Sequence, residues 1–290
     1  AQSRLVEEEM IASRLPFVLI GGQRFYERKE VKDAIAYLKV LVNPEDDVSL
    51  LRIFNEPPRK LGQTTRERML GRARRDGVPC WTALCSLCDE PAAAGRAHKA
   101  LVKFRDLVLT LREEAETQAL DSLVAQVYRR SDLLGRYERE GTFEAQGRVE
   151  NLEELQNSTL DYAAAAPGEG LASFLDRVSL VADTDSLAGE EDGSGKVTLM
   201  TVHAAKGLEF PVVLVIGLDE DLFPHARANS ADSELQEERR LAYVAVTRAQ
   251  EKLYLLRARR RRIHGTFQDT RESRFLRLIP RQLLDGDVRF

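Results

Sequence analysis

Thr201-Val202-His203-Ala204-Ala205-Lys206-Gly207-Leu208-Glu209-Phe210 is the stretch from which the rest of the chain can be ordered. It joins two apolar runs, Val197 to Val202 and Val212 to Ile216, neither of which alternates with polar residues. Such runs read as strands buried on both faces. The stretch is then a loop leaving the carboxyl end of a strand, where α/β sheets bind ligands. It offers a hydroxyl, an imidazole, an ammonium and a carboxylate together. Downstream, Ser233 to Gln250 carries a helical pattern and Leu253-Tyr254-Leu255-Leu256 reads as a further strand. The order strand, loop, strand, helix, strand predicts an α/β sheet.

Upstream, the first forty residues read as helix, strand, helix. Phe17-Val18-Leu19-Ile20 is a short strand stopped by Gly21-Gly22. Val31, Ile35, Leu38 and Val42 then form the stripe of an amphipathic helix, which Asn43-Pro44 ends. From there to Ser194 the pattern is helical, with segments around 47–54, 65–75, 80–88, 97–116, 120–139, 147–165 and 170–182. Gly189 to Gly195 reads as an acidic linker. The expected layout is a discontinuous α/β domain, residues 1–43 and 196–290, interrupted by an all-helical insertion over 44–195.

Composition excludes several classes. The 290 residues include 43 Lys+Arg and 47 Asp+Glu, with 43% hydrophobic and 31% charged residues, which is globular rather than disordered. No apolar run approaches the ~18–20 residues of a membrane span. Three cysteines are too few for a disulfide framework and favour a reducing interior. The net charge of −4 conceals two basic zones. Arg52 to Asp76 carries a net +5 and Arg248 to the end a net +7, which points to a polyanion held at defined places.

A second stretch carries chemistry: Glu237-Glu238-Arg239-Arg240-Leu241-Ala242-Tyr243-Val244-Ala245-Val246-Thr247-Arg248-Ala249. It is a helix with Arg248 in its last turn, where a guanidinium can stabilise charge on a transferring phosphoryl group. Together with the loop at 201–210 it resembles motifs V and VI of the UvrD/Rep family of superfamily-one DNA helicases. Gly21-Gly22-Gln23-Arg24-Phe25-Tyr26-Glu27-Arg28-Lys29-Glu30-Val31-Lys32-Asp33 is similar to that family's GGxxFFxRxEIKD segment, and Arg148-Val149-Glu150-Asn151-Leu152-Glu153-Glu154-Leu155 extends the likeness. The resemblance implies a RecA-like second motor lobe split by a helical, duplex-binding subdomain, without the first lobe. It implies a cytoplasmic, ATP-dependent 3′→5′ helicase acting in DNA repair. The partners implied are single-stranded and duplex DNA with a 3′ tail and the N-terminal motor lobe, with repair proteins or a second copy left open.

Two lookalikes are set aside. Gly193-Ser194-Gly195-Lys196 lacks the glycine and hydroxyl spacing of a phosphate loop and reads as linker. Asp219-Glu220-Asp221 imitates the acidic end of a metal-binding strand but, with no phosphate loop upstream, reads as an exposed turn. ATP with Mg²⁺ is therefore expected to be held mainly by the first lobe. On this chain the resemblance gives Arg248 the γ-phosphate and transition-state charge, Glu209 the ribose hydroxyl, and Lys206-Gly207 a link between nucleotide and DNA. Thr201 and His203 would face the single strand, and Arg24 and Phe25 would lie near DNA.

The helical part holds a second candidate. Asn55 to Thr65 places a turn before a helix start, where backbone N–H groups, Thr64, Thr65, Arg59 and Lys60 could receive duplex phosphates. The family's pattern there is RGIG, and this chain has Arg59-Lys60-Leu61-Gly62. Arg257 to Gly265 looks like the family's strand-separating hairpin, with His264 at the position of its usual aromatic ring and Arg262 beside it. Cys80, Cys85, Cys88 and His98 fit no zinc spacing, and the three cysteines read as small buried hydrophobes. No metal site is expected. A rival reading is a DNA-junction binder that does not hydrolyse ATP.

Overall fold

The computed structural model describes residues 2–187, 195–230, 232–263 and 266–285. In chain order the first elements are α1 (Ser3–Ala12), β1 (Phe17–Ile20), α2 (Lys29–Val42), α3 (Asp47–Ile53), α4 (Gln63–Asp76) and α5 (Cys80–Asp89). Then come α6 (Pro91–Ala94), α7 (His98–Ala115), α8 (Leu120–Ser131), α9 (Gly135–Glu140), α10 (Phe143–Ala165) and α11 (Leu171–Leu187). The remainder is β2 (Val197–Met200), β3 (Phe210–Val215), α12 (Asp232–Val246), β4 (Ala249–Leu255), β5 (Arg260–Ile263), β6 (Thr266–Asp269) and α13 (Arg274–Arg277). The chain forms two compact units. One takes Ser3–Ile11 and the described residues from Arg24 through α11; the other takes Ala12–Gln23 and those from residue 195 onward.

The helical unit is organised around α2. The sequence stripe predicts one buried face, but Val31, Ala34, Ile35, Tyr37, Leu38, Val40 and Leu41 are all buried. A helix apolar around most of its circumference belongs inside a core, and α2 packs against α3, α7, α8, α10 and α11. The expected border at residue 43 is therefore displaced, and α2 belongs with the helices. So does α1, through a buried ionic cluster. Arg4 bonds Glu154 at 2.7 Å, Asp161 at 2.9 Å and Glu8 at 3.1 Å, and Tyr26 donates to Glu8 at 2.7 Å. Asn151 donates to Glu30 at 2.6 Å and accepts from Arg28, tying the two helicase-like segments of this unit together. The single stripe at 120–139 divides into α8 and α9 because Asp132, at φ +65°, caps α8 in the left-handed region.

The other unit has strands in three two-stranded ladders. β1 pairs in parallel with β2, Phe17 opposite Val197, so the opening strand does join the C-terminal half of the chain. β3 and β4 are also parallel, whereas β5 and β6 form an antiparallel hairpin. The expectation of strands buried on both faces fails. Val213, Val215, Leu253 and Leu255 pack inward with Leu218 and Ala245, while Val212, Leu214 and Tyr254 are exposed. Apolar side chains of period two thus point alternately to core and solvent, with α12 packed on β3.

The acidic run after β3 is also corrected. Asp219 is buried, with 1% of its side chain exposed, rather than part of an exposed turn. It accepts from Arg261 at 2.8 Å, from Thr270 Oγ1 at 3.3 Å and from the Ala258 N–H at 3.4 Å. Glu220 receives Arg274 through Nε at 3.1 Å and Nη2 at 2.8 Å. Arg271 approaches Asp221 at 3.3 Å. A buried carboxylate persists only when paired and hydrogen-bonded, and here that pairing ties the base of the hairpin to the end of β3.

Candidate functional site

The loop after β2 is compact. Thr201 Oγ1 accepts from the Ala204 N–H at 3.2 Å, and the Ala205 and Leu208 N–H groups close successive turns on Thr201 and Ala205. Gly207 adopts φ +86°, which a side chain would oppose. Gly21, after β1, lies so close that an added Cβ would stand 2.8 Å from the Cβ of Ala204. Loop and β1 turn thus share one end of the parallel β1–β2 pair. Thr201, His203, Lys206 and Glu209 are exposed there.

Arg248 reaches the same loop from the end of α12. Its Nε donates to the Val244 carbonyl, Nη1 to the Leu208 carbonyl and Nη2 to Thr247 Oγ1, each at 2.9 Å. The Phe210 N–H donates back to the Arg248 carbonyl at 2.9 Å. Glu209, between Leu208 and Phe210, accepts a long bond of 3.4 Å from Gln250. Arg248 and Lys206 have no carboxylate within ion-pair distance among the described residues. The site therefore presents an oriented guanidinium on backbone carbonyls, a second cation, and a carboxylate with acceptor capacity to spare. That donor set suits a polyphosphate and a sugar hydroxyl. No group of three or more metal-ligating side chains occurs among the described residues.

The helical unit separates its candidates. Gly62 caps α4 without a side-chain bond, and Lys60, Gly62 and Thr64 are exposed around that helix start. Arg59 is not available in the same way. Its guanidinium donates to the Ile53 carbonyl at 2.8 Å, to the Glu56 carbonyl at 3.2 Å and to Tyr37, and lies 4.8 Å from the Phe104 ring centroid. Thr65 is buried. Phe25 is 0% exposed and packs edge-on to Tyr26 at 5.0 Å, so it serves the core and cannot face DNA without unfolding. Arg24 is half-buried beside it. Part of the basic zone is also internally paired: Arg68 donates to Ala94, and Arg72 and Arg75 to Asp76.

On the hairpin, Arg262 lies over the Phe267 ring at 4.7 Å. His264 lies outside the described residues. Phe267 escaped the sequence reading; an aromatic flanked by Thr266 and Gln268 just after a run of arginines was its only signal. Cys80 and Cys88 are buried, and burial pushes both thiols up to about 11, as expected of packing residues.

Residues 1–84 and 90–260 match the family described as UvrD-like helicase C-terminal domain. The chain is 41% identical over 290 residues to the ATP-dependent DNA helicase PcrA of Staphylococcus aureus strain MRSA252, covering 99% of this chain and 39% of that protein. It is 40% identical to the protein of the same name from Staphylococcus epidermidis, with the same coverage. The chain thus spans about two fifths of the length of these relatives. No helix among the described residues is long and apolar enough to cross a membrane.

Proposed function

The chain belongs to the UvrD-like helicase C-terminal domain family, and we propose that it is the motor and DNA-gripping part of an ATP-dependent helicase unwinding duplex DNA 3′→5′ in repair. The observation that carries this reading is the meeting of Arg248 with the 201–210 loop. Arg248 donates to the carbonyl beside Glu209 and receives the N–H on its other side. A guanidinium fixed by three bonds needs little reorganisation to meet developing charge on a phosphoryl group. Glu209 offers an acceptor to the ribose, and Lys206-Gly207 connects that acceptor to Thr201 and His203 on the single strand. Mg²⁺, when bound with ATP, neutralises phosphate charge, and the first lobe supplies most of its ligands. The N-terminal motor lobe is the partner across the nucleotide. Lys60, Gly62 and Thr64 receive duplex phosphate at the start of α4, and the β5–β6 hairpin parts the strands.

A second reading, a junction binder that does not hydrolyse ATP, applies to this chain by itself, because the sequence contains no phosphate loop. Both readings make one expectation for the purified 290-residue chain. It binds a fork DNA with an affinity that falls steeply with salt, and it turns over no ATP when DNA is added. DNA-stimulated turnover by this chain alone would contradict the assignment of the phosphate site to a separate lobe.

A further inference from the structure

The segments that enter and leave the β5–β6 hairpin border a cavity of about 410 Å³. Arg257 stands before its first strand, Thr270, Arg271 and Glu272 follow its second, and Arg274 and Arg277 lie on α13. Glu220, from the turn after β3, completes the lining. Four arginines against two glutamates give this wall a surplus of positive charge.

The arginines are unevenly satisfied. Glu220 is spent on Arg274, which meets its two oxygens at 3.2 Å and 2.8 Å. Arg277, 64% exposed, stands 3.8 Å from the same carboxylate, too far for a hydrogen bond. Arg271 approaches Asp221 at 3.3 Å with a side chain 78% exposed, a pair that holds it weakly. Arg257 is three-quarters buried, and its Nη2 donates to the Thr270 carbonyl at 3.3 Å. Its Nη1 stands 3.7 Å from Glu272 and its Nε 3.9 Å from Asp219. That Nε is closed off from solvent and makes no hydrogen bond. A charged donor left without an acceptor is costly, and an anion in the cavity offers this guanidinium the acceptors that two distant carboxylates do not.

We propose that the cavity is a site for a phosphate-class oxyanion, bound by Arg257, Arg271 and Arg277, with Arg274 fixed beside them by Glu220. A tetrahedral phosphate accepts from several sides at once, which suits donors brought in from three separate segments; a planar carboxylate is met by one fork. Its source is either free phosphate or a phosphodiester of a nucleic-acid strand, which present the same oxygens to the site. Because both ends of the hairpin border the cavity, an occupied site ties them together. The proposal is independent of the motor reading, since the cavity shares no residue with the 201–210 loop or with Arg248.

The test titrates the 290-residue chain with inorganic phosphate at constant ionic strength, with acetate as the carboxylate control. Phosphate should slow hydrogen exchange over 257–260 and 270–277 and raise the thermal midpoint; acetate should do neither. The double variant Arg271→Gln, Arg277→Gln, at two largely exposed side chains, should melt like the parent without phosphate and bind phosphate at least about tenfold more weakly. Arg257→Lys keeps the charge but removes the fork, and should also weaken binding; if it unfolds, the double variant carries the test. Equal protection by acetate, or a double variant that binds phosphate like the parent, overturns the proposal. An oligothymidylate in the same assay identifies the source. If it protects the same segments, and the double variant flattens its salt dependence by about two charges, the site holds a strand phosphate. If it leaves them unprotected while phosphate binds, the site holds free phosphate; both results uphold the site. Protection by neither ligand overturns it.

Discussion

Lys60 holds a left-handed backbone, φ +66°, at the position where the helicase pattern has glycine. For a side chain this conformation costs about 1–2 kcal/mol, and glycine's extra freedom in the unfolded chain offsets about 0.5–1 kcal/mol of that. Lys60→Gly should therefore stabilise the chain by up to about 1 kcal/mol in urea denaturation. It should also flatten the salt dependence of duplex binding by about one charge. Lys60→Ala should lose the same charge without the gain in stability. An unchanged salt slope in both variants would place Lys60 away from phosphate. The same stretch shows how far single residues are legible. The basic turn and helix start of 55–65 can be read from the sequence, but the fate of Arg59 cannot. The Ile53 and Glu56 carbonyls that it meets are near in sequence, but Tyr37 and the Phe104 ring come from elements that only folding brings beside it. Phe25 fails for a related reason: an aromatic among charged residues looks like a contact surface until the Glu7 carboxylate is seen holding its N–H at 3.0 Å from below.

Among elements, the hairpin and its acidic anchor depend on pairs more than forty residues apart. Asp219 and Arg261 meet across that distance in sequence, so nothing local marks the aspartate as buried. Asp219→Asn leaves Arg261 and Arg257 without their shared carboxylate. Losing one partner of a fully buried pair costs about 3–5 kcal/mol. Because about a quarter of each guanidinium side chain is exposed here, about 2 kcal/mol is the expected loss. Hydrogen exchange should then rise selectively over 258–270; uniform exchange would contradict the anchor. Glu220 adds a pH dependence. Hydrogen bonds from Arg274 hold its carboxyl below the usual value. A depressed folded pKa contributes stability above the unfolded value of about 4.3, and that contribution is lost as pH falls through the folded value. Glu220→Gln should thus destabilise the chain at pH 7 and converge with the parent below about pH 4 in thermal melts across pH. A constant gap down to acid pH would remove the ion pair as its cause.

For the whole molecule, periodicity and composition locate the helical and strand-bearing stretches, but the division of the strands into the separate parallel pairs β1–β2 and β3–β4 is not legible in them. Less legible is where one unit ends. The stripe of α2 looks like a surface helix beside a sheet, yet it is enclosed on several sides by helices from much later in the chain. Buried charge hides in the same way: Arg4 bonds carboxylates about 150 residues away. Motif-bearing loops are the most legible part, because their chemistry is concentrated in contiguous residues. Arg248 and the 201–210 loop were separated in sequence by a helix and a strand and meet through backbone bonds.

That meeting is the centre of the account, and one variant addresses it. In the full-length protein carrying this chain, the proposed motor function predicts that Arg248→Ala lowers the kcat of DNA-stimulated ATP hydrolysis by about 10³–10⁵-fold, with DNA affinity retained. A kcat close to that of the parent would remove Arg248 from the chemistry and contradict the motor reading.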